Sequence, residues 1–551
     1  MQEIARALKD ACQKLFNTEI NPELSRPEEQ FGDFATNAAL QLGQKLGKNP
    51  REIAMALAGQ LHGVAGVADV QIAGPGFINL KLTDEALAKT AFAATDLPKP
   101  LAGQQILVEF GDPNPFKEMH IGHLYSYIVG DAIASLLKTN GAEVKRLSYH
   151  GDVGLHVAKA IYGMKKFKNL GEDSKSVESV KEGEKFNFLE VAYAYGAKAY
   201  EEDDTAKTEI DTVNEHVYKR DVPEINELYD QGVKESFAAF DKILDLLSIS
   251  TDKRYLETQS AQAGLELVRQ NTGKVFKKSQ GAIIYDGVKA GLHIRVFITS
   301  KGLPTYETKD LGLAELKDKD FPDAARSIII TASEQADYFK VMLAALAEIK
   351  PELAAKTTHL SHGFLSLSTG KMSSRTGDVY SAEDLLRSVE GEAKKQYPSA
   401  DTQPIYLAAT KYAFLKHRMG SDIVVDVSEA VNLEGNSGPY LQYAFARASS
   451  VLAKAGSNQD GKLSDLTDDE RSLARKISEY PEVVTKATDE LMPHHICTYL
   501  YELAQAFNHF YEKNRVIGDS RQAPRLALVK AYAGVLKHGL GLLNITAPEK
   551  L

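Results

Sequence analysis

The sequence predicts a multidomain α/β protein in which a parallel-sheet domain lies between a small α/β module and a helical domain. Three observations predict it. A buried strand, a polar loop and a helix follow one another from Ile106, charged helical patterns interrupt the later strands, and only helical patterns follow about residue 401. A strand–loop–helix–strand unit is typical of a parallel sheet. The 551 residues are enough for three to four domains.

The composition narrows the functional classes. No stretch of 18 apolar residues occurs, so the sequence predicts no membrane span. The net charge of −10 argues against a protein that coats nucleic acid non-specifically, although a specific RNA surface stays open. Two cysteines, Cys12 and Cys497, cannot build a zinc cluster or a disulfide framework. The amphipathic start lacks the apolar core of a secretory signal, so we expect a cytoplasmic protein without zinc or another protein-bound metal.

Residues 1–95 form the predicted N-terminal module. Helical patterns cover Ile4 to Phe16 and Asn37 to Leu46, and two short strand patterns flank the turn Gly74-Pro75-Gly76. A linker rich in proline and alanine follows.

Residues 96–395 form the predicted parallel-sheet domain. The run from Ile106 to Phe110 is typical of a buried strand, and a loop with glycine and proline leads from it to a helix that begins near His120. Strand patterns return at GAIIYDG, HIRVFITS and RSIIIT. Between about 167 and 253 the chain is charged and helical without strand patterns, which predicts an insertion.

Residues 396–551 form the predicted helical domain. The segment from Pro493 to Tyr511 places its large apolar side chains on one face at a spacing of three and four, namely Leu500, Leu503, Phe507, Phe510 and Tyr511.

The tetrapeptide His120-Ile121-Gly122-His123 is the strongest local signal. A helix that starts where a parallel strand ends presents free amides and the positive end of its dipole to phosphates. Histidines three positions apart share one helical face and can donate hydrogen bonds to phosphate oxygens, while Gly122 lets adenosine approach the backbone. Alone, the pattern also fits two surface histidines and a helix glycine.

A second motif lies about 250 residues downstream. GKMSSRTG places Lys371, Ser373 and Ser374 between two glycines, which gives a flexible, cationic loop rich in hydroxyls. Such a loop can close over a pyrophosphate leaving group, although alone it also fits a solvated turn. Together the two motifs point to activation of a carboxylate with ATP.

These motifs resemble those of the class I aminoacyl-tRNA synthetases, and most closely those of the arginyl-tRNA synthetases. The similarity extends over nearly the whole chain except about 167–253, through FGDFATNAAL, GPGFINLKL, VEFGDPNPFKEMHIGHLYSYIVGDAIASLL, LPTYETKDLG, ASEQADYFK, HGFLSLSTGKMSSRTGDV, NSGPYLQYAFAR and YLYELAQAFNHFYEKNRV. It implies a Rossmann-like catalytic domain of the class I synthetase type, an N-terminal tRNA-contacting domain and an all-α C-terminal anticodon-binding domain.

The resemblance implies an arginine–tRNA ligase. ATP, bound with Mg²⁺, would activate L-arginine to arginyl-adenylate with release of pyrophosphate, and the arginyl group would pass to the 3′-terminal adenosine of tRNA(Arg) with release of AMP. It assigns ATP binding to His120, Gly122, His123, Lys371, Ser373 and Ser374, and catalysis to His120, His123 and Lys371. Ser374 replaces the second lysine of the usual loop, and Lys117 is predicted to supply the missing charge as a further catalytic group.

The resemblance also assigns an arginine pocket. A guanidinium needs carboxylates that accept paired hydrogen bonds. Tyr306 and Asp310, four positions apart, would hold it, and Asn114, His123 and Gln335 would hold the backbone end of the amino acid. Glu109 and Asp112 complete the pocket, although a glutamate at a strand end equally fits a cap of the following loop. Two positions depart from the family: Gly111-Asp112 stands where Ser-Ser is common, and Tyr125 stands where arginine is usual.

For tRNA, the resemblance assigns contacts to Phe31 and Asn37 in the N-terminal module and to Asn436, Tyr440 and Gln442 in the helical domain. Further candidates in the helical domain are Tyr443, Arg447, Phe507, Tyr511, Lys513 and Arg515, although aromatic residues at helical spacing are more often core residues. The resemblance also implies a monomer that needs bound tRNA before it activates arginine.

Two other functional classes stay open. A nucleotidyltransferase that adenylates a small acid without tRNA would need both ATP motifs but neither terminal domain. A non-catalytic RNA-binding paralogue would be expected to lose His120, His123, Lys371 or Asp310, and all four are present. A cysteinyl enzyme would need a zinc site that two cysteines cannot build, and glutamyl or glutaminyl enzymes would need a cationic pocket for the side chain.

Overall fold

The computed structural model describes residues 2–168, 185–368, 380–456 and 465–551. Lys371, Ser373 and Ser374 lie outside the described residues. No helix within these ranges is long and apolar enough to cross a bilayer.

The N-terminal region folds around a three-stranded antiparallel sheet of order β1–β3–β2. Its elements are α1 (Gln2–Phe16), β1 (Phe34–Thr36), α2 (Ala38–Leu46), α3 (Pro50–Leu61), β2 (Val67–Ala73), β3 (Phe77–Leu82) and α4 (Asp84–Phe92). Both predicted helices and both predicted strands are present. Sequence patterns missed α3, which begins at Pro50 after Asn49, whose side chain accepts a hydrogen bond from the Arg51 amide.

A five-stranded parallel sheet forms the middle of the chain, in the order β11–β10–β4–β5–β6. The elements up to the last sheet strand are β4 (Gln105–Glu109), α5 (Ile121–Thr139), β5 (Glu143–His150), α6 (Leu155–Lys168), α7 (Lys185–Glu202), α8 (Asp204–Lys219), α9 (Pro223–Leu246), β6 (Lys253–Leu256), α10 (Glu257–Gln270), β7 (Phe276–Ser279), β8 (Ala282–Asp286), β9 (Ile294–Ile298), α11 (Tyr306–Asp320), β10 (Ala324–Ala332), α12 (Ala336–Ile349), α13 (Pro351–Lys356) and β11 (Thr357–His362). The predicted strand at Ile106 is β4, buried in the sheet, and RSIIIT is β10 beside it.

The predicted insertion is helical in its described part, but its boundaries differ from the sequence estimate. The helical excursion begins with α6 at Leu155, and it ends at Lys253, where β6 joins the parallel sheet. Helices α6 to α8 share a hydrophobic cluster with the first turns of α9, whereas Phe240 and Leu244 farther along α9 pack in the main core. GAIIYDG and HIRVFITS form β8 and β9 of a separate antiparallel sheet with β7.

The C-terminal region is almost entirely helical. After β12 (Leu365–Leu367) and α14 (Ala382–Gln396) come α15 (Thr402–Leu415), β13 (Ile423–Val425), α16 (Val427–Ala430), α17 (Gly438–Ala455), α18 (Asp468–Ser478), α19 (Tyr480–Asp489), α20 (His494–Lys513) and α21 (Gln522–Leu542). The short strand β13, which pairs with β12, is the exception to the predicted all-helical pattern. The apolar face predicted around Leu500 lies on α20 in the core.

The C-terminal region holds helix α5 in place. Lys411 on α15 is buried and donates to the carbonyls of Leu247 (2.7 Å) and Asn544 (2.6 Å). The Asn544 side chain in turn donates to Asp131 of α5 (2.8 Å). A buried ammonium satisfied by backbone carbonyls therefore joins the end of α9, the C-terminal tail and α5.

Candidate active site

A cavity of about 630 Å³ opens where β4, β5 and β10 end and α5 begins. Ligands of open α/β sheets bind outside the carboxyl ends of the strands, which is where this cavity lies. It brings together all of the ATP- and arginine-site residues predicted in the described chain, namely Glu109, Asp112, Asn114, Lys117, His120, Gly122, His123, Tyr306, Asp310 and Gln335.

The two histidines of the tetrapeptide stack at the start of α5. Their ring centroids are 3.5 Å apart, and His120 is the N-cap rather than a residue of the helix. His120 Nδ1 accepts a hydrogen bond from the Gly122 amide (3.1 Å), and His123 Nδ1 accepts one from the His120 amide (3.3 Å). Because each Nδ1 accepts, the hydrogen-bond network assigns the ring proton to Nε2. Both imidazoles are therefore donors to a ligand at the helix start.

Both imidazoles are neutral at physiological pH. Burial, with help from the nearby Lys117 charge, lowers the pKa of His120 to about 4. Burial and its neighbour His120 hold the pKa of His123 well below its usual value. Gly122 serves this arrangement, because a Cβ at that position would lie 3.0 Å from the His120 ring.

The first described residues after the lysine–serine motif lie beside the same helix start. The Ile121 amide donates to the Tyr380 carbonyl (3.1 Å), and the Ala382 amide donates to the Met119 carbonyl (2.7 Å). The first described residues after the motif are thus hydrogen-bonded beside His120.

The opposite end of the cavity is acidic. Glu109 at the end of β4 is buried and pairs with Lys317 of α11 (2.8 Å), which does not line the cavity. Asp310 is buried on the same helix, and burial together with the Glu109 charge raises its pKa to about 8. Glu109 does not cap the following loop, because its carboxylate is held by a cation behind the sheet.

Tyr306 and Asp310 share a helical face, as predicted, but they differ in exposure. Tyr306 is 66% exposed at the mouth of the cavity, whereas Asp310 lies below it. Between them, Lys309 forms a buried ion pair with Glu257 of α10 (2.6 Å). Glu257 and Lys309 both line the cavity, and sequence patterns had not singled out either.

Asn114 and Gln335 both line the cavity. Asn114 Oδ1 accepts a hydrogen bond from the Gly151 amide (3.0 Å), so its Nδ2 is oriented as a donor. The Gln335 side chain is exposed and accepts from the Tyr338 hydroxyl (3.2 Å). Both amides can reach a ligand that spans the cavity.

Lys117 lines the cavity near the histidines, and its ammonium lies 5.3 Å from the centre of the Tyr193 ring on α7. Burial lowers the pKa of Lys117. His156 lines the same wall and hydrogen-bonds to the Gly151 carbonyl (2.9 Å). Sequence reasoning missed His156, although its place at the start of the helix that follows β5 was a usable signal.

Tyr125, which stands where the family usually has arginine, is a core residue. Its ring is fully buried and lies edge-on to His362 (4.8 Å) and Phe414 (5.6 Å). Its hydroxyl has no hydrogen-bond partner in the described part of the chain. Tyr125 therefore contributes aromatic packing and does not line the cavity.

The residues that were predicted to contact tRNA differ in their exposure to solvent. Asn436 is exposed and Tyr440 is half-buried, whereas Asn37 in the N-terminal region is half-buried and Phe31 is exposed. Gln442 is fully buried, and its amide donates to the carbonyls of Pro404 and Thr546, so its side chain is out of reach of tRNA and the prediction for it is wrong.

Phe507 requires the same correction. It is fully buried, with its ring stacked 3.9 Å from that of Tyr532. Tyr443, Lys513 and Arg515 are exposed, while Arg447 lies 4.6 Å over the Tyr511 ring. An aromatic residue at helical spacing is thus a core residue in one case and a surface residue in another.

Within the described ranges, no group of three or more His, Cys, Asp or Glu side chains could hold a metal ion. The residues at the histidine end are donors and cations, which are unsuitable ligands for Mg²⁺. Mg²⁺ that arrives with ATP would therefore be held by phosphate oxygens and water.

Donors at the helix start and carboxyls across the same sheet edge suit an enzyme that binds ATP and a cationic amino acid side by side. With this parallel-sheet fold, that combination defines a class I aminoacyl-tRNA synthetase. A family model described as "tRNA synthetases class I (R), catalytic domain" matches residues 89–415. Models for an "Arginyl tRNA synthetase N terminal domain" and a "DALR anticodon binding domain" match residues 2–82 and 441–551.

Proteins with similar sequences and structures belong to the same class. An arginine–tRNA ligase of Bdellovibrio bacteriovorus is 30% identical over 98% of this chain and 94% of its own length. One from a Synechococcus strain is 31% identical over 100% of this chain and 99% of its own. The structure of Thermus thermophilus arginyl-tRNA synthetase matches with a TM-score of 0.82 and 26% identity over the full length of both chains. The chain belongs to the arginyl-tRNA synthetase family.

Proposed function

We propose that this chain activates L-arginine with ATP and transfers the arginyl group to the 3′-terminal adenosine of tRNA(Arg). The observation that carries the proposal is a single cavity with carboxyls at one end and with imidazole donors and a lysine at the other. A cationic amino acid and a polyanionic nucleotide would occupy it in one orientation, because each end repels the wrong partner.

In the first step, the arginine carboxylate attacks the α-phosphorus of ATP and pyrophosphate leaves. The products are arginyl-adenylate and pyrophosphate. Little acid–base chemistry is needed, and positioning and stabilisation of charge provide the catalysis. His120 and His123 would donate from Nε2 to phosphate oxygens, and Lys117 and Lys371 would neutralise the departing charge. Mg²⁺ held by the phosphates would stabilise the leaving group further.

Arginine would lie with its guanidinium at Asp310 and Tyr306 and its backbone end near Asn114, His123 and Gln335. Glu109 is already paired with Lys317. We therefore assign it an indirect, electrostatic role in the pocket rather than a direct ion pair with arginine. Lysine would be rejected because a compact ammonium cannot satisfy acceptors that are placed for a planar fork.

In the second step, the arginyl group would pass to the 2′-hydroxyl of the terminal adenosine, and AMP would leave. We assign residues 1–95 to contact with the tRNA elbow through Phe31 and Asn37, 96–395 to catalysis, and 396–551 to the anticodon arm through Asn436 and Tyr440. We further propose a cytoplasmic monomer that requires no zinc and that activates arginine only with tRNA bound.

Exchange of labelled pyrophosphate into ATP tests the proposal. Each of the 20 amino acids is assayed with and without total tRNA. Exchange with arginine alone, dependent on tRNA, is the expected result. Arginine-specific exchange without tRNA would retain the enzyme assignment and remove the requirement for tRNA. Exchange with a different acid would favour a nucleotidyltransferase that adenylates a small acid without tRNA. No exchange with any amino acid would favour a non-catalytic RNA-binding paralogue.

A further inference from the structure

Asp112 is fixed in an unusual conformation at the acidic end of the cavity. Its φ is +57°, in the left-handed region that aspartate and asparagine enter more readily than most residues. Gly111 before it has φ +92°, and a Cβ there would come within 2.3 Å of the Tyr127 ring. The Asp112 carboxylate accepts a hydrogen bond from the Tyr149 amide (2.7 Å). Backbone geometry and one hydrogen bond therefore hold this carboxyl at the cavity wall.

The charges around the cavity leave two of its buried or half-buried acids unmatched. Five carboxyls line it: the exposed Glu334, and the buried or half-buried Glu109, Asp112, Glu257 and Asp310. Glu109 pairs with Lys317, and Glu257 pairs with Lys309. In the part of the chain that the structure describes, Asp112 and Asp310 have no such cation. Free arginine carries two cations, the guanidinium and the α-ammonium, which these two buried or half-buried acids can match.

An empty pocket does not hold both charges readily. Burial and the Glu109 charge raise the pKa of Asp112 well above its usual value, and the same two causes raise the pKa of Asp310 to about 8. Asp112 keeps some exposure, which we attribute to the cavity that it lines. The titratable and charged groups that face it come from four elements: Glu109 on β4, Tyr127 on α5, Tyr149 on β5, and Asp310 and Lys317 on α11.

We propose that Asp112 binds the α-ammonium group of arginine and gives up a proton to solvent as the amino acid enters. The assignment rests on the proposed function, because it names a partner within the same pocket. Asp112 lies two residues before Asn114, which is assigned to the backbone end of the ligand, whereas Asp310 lies on the helix that carries Tyr306. An aspartate at this position thus adds an ionic contact for the backbone end of the amino acid.

Titration calorimetry in two buffers of different ionisation enthalpy at pH 7 tests the proposal. The full chain is titrated, without ATP and in the presence and absence of tRNA(Arg), with arginine and with 5-guanidinopentanoic acid, which lacks only the α-amino group. We expect the wild-type chain to release more protons with arginine than with the analogue. In Asp112→Asn this difference should disappear, and arginine should bind about tenfold more weakly while the affinity for the analogue changes less than about twofold.

Three outcomes would overturn the proposal: no release of protons by the wild-type chain, unchanged release by Asp112→Asn, or an equal loss of affinity for arginine and analogue in that variant. Asp112→Ser, which carries the common family residue, gives a second test if the asparagine variant is poorly folded, and a separate ATP titration reports the state of each variant. If the wild-type chain binds ATP but not arginine, the proposed function itself fails. If it binds arginine but shows one of the three outcomes above, only the assignment of Asp112 fails.

Discussion

The two ends of the active-site cavity are built on opposite principles. At the arginine end, Glu109 and Glu257 are paired with Lys317 and Lys309, whereas burial raises the pKa values of the unpaired Asp112 and Asp310. At the nucleotide end, His120 and His123 are neutral donors whose orientation is fixed by the first backbone amides of α5. The acidic end selects by charge and therefore depends on each carboxyl. The histidine end stabilises by placement and depends on geometry.

This difference predicts which substitutions matter most. A lost carboxyl leaves a ligand cation buried without a partner, which is costly in a medium of low polarity. A lost imidazole removes one of several donors around phosphates that remain partly hydrated.

The largest effect is expected for Asp310→Asn. The guanidinium would lose its unmatched carboxylate, and kcat/KM for arginine should fall about 100-fold or more, within the roughly 2–5 kcal/mol range for one partner of a buried charged pair. The affinity for ATP should stay unchanged. Arginine-dependent pyrophosphate exchange measures the first quantity, and ATP titration measures the second.

Glu315→Gln is the matched control on the same helix. Glu315 pairs with Lys350 (2.6 Å) and does not line the cavity. Its loss should change kcat/KM less than about twofold. A normal KM for arginine in Asp310→Asn would show that the acidic end of the cavity does not select arginine through this carboxyl.

His120→Asn should have the next largest effect. Asparagine is a good N-cap, so the start of α5 is retained, but the Nε2 donor is lost. We expect the exchange rate to fall about 30-fold, because donors aimed at developing charge contribute on the order of 2–3 kcal/mol. Thermal unfolding should stay close to that of the wild type.

His120→Ala separates the two roles of this residue. It should show the same loss of rate and also destabilise the fold by about 1 kcal/mol, the usual cost of a lost N-cap. If His120→Asn exchanges at the wild-type rate, His120 acts as a cap alone and the description of the nucleotide end is wrong.

Lys117→Ala should lower the exchange rate about tenfold through the lost charge near the phosphates. The control is Lys159→Ala on α6, where the ammonium lies 4.6 Å from the Tyr200 ring and outside the cavity. Both variants lose a contact between an ammonium and an aromatic ring, but only Lys117 faces the ligand. Equal rates for the two variants would show that Lys117 does not supply the missing charge.

The smallest effect is expected from pH at saturating arginine. Because burial lowers the pKa of His120 to about 4, both it and His123 stay unprotonated throughout pH 6–8. Their titration should therefore change the exchange rate by less than about twofold in that range. If the wild-type rate instead changed with a midpoint near pH 6.5 and the His120→Asn rate did not, the His120 imidazole would be protonated during the reaction and this prediction would be wrong.

Sequence patterns predicted much of the fold because they report local order. The strand at Ile106, the helix after His120 and the apolar face of α20 follow from hydrophobic spacing and loop residues. The same patterns missed α3, placed the start of the helical insertion about 12 residues too late, and could not separate the sheet of β7 to β9 from the parallel sheet. Pairing partners are decided by contacts that are distant in sequence.

The sequence by itself determined the chemistry that is available, because the tetrapeptide, the Tyr306–Asp310 pair and the absence of a cysteine cluster are legible as residue types at fixed spacing. Only the tertiary structure decided which of these groups carry charge and which face a ligand. It paired Glu109 with Lys317, left Asp112 unmatched and buried Gln442. The physical reason is that charge state and accessibility depend on burial and on neighbours from other elements, and a linear spacing contains neither.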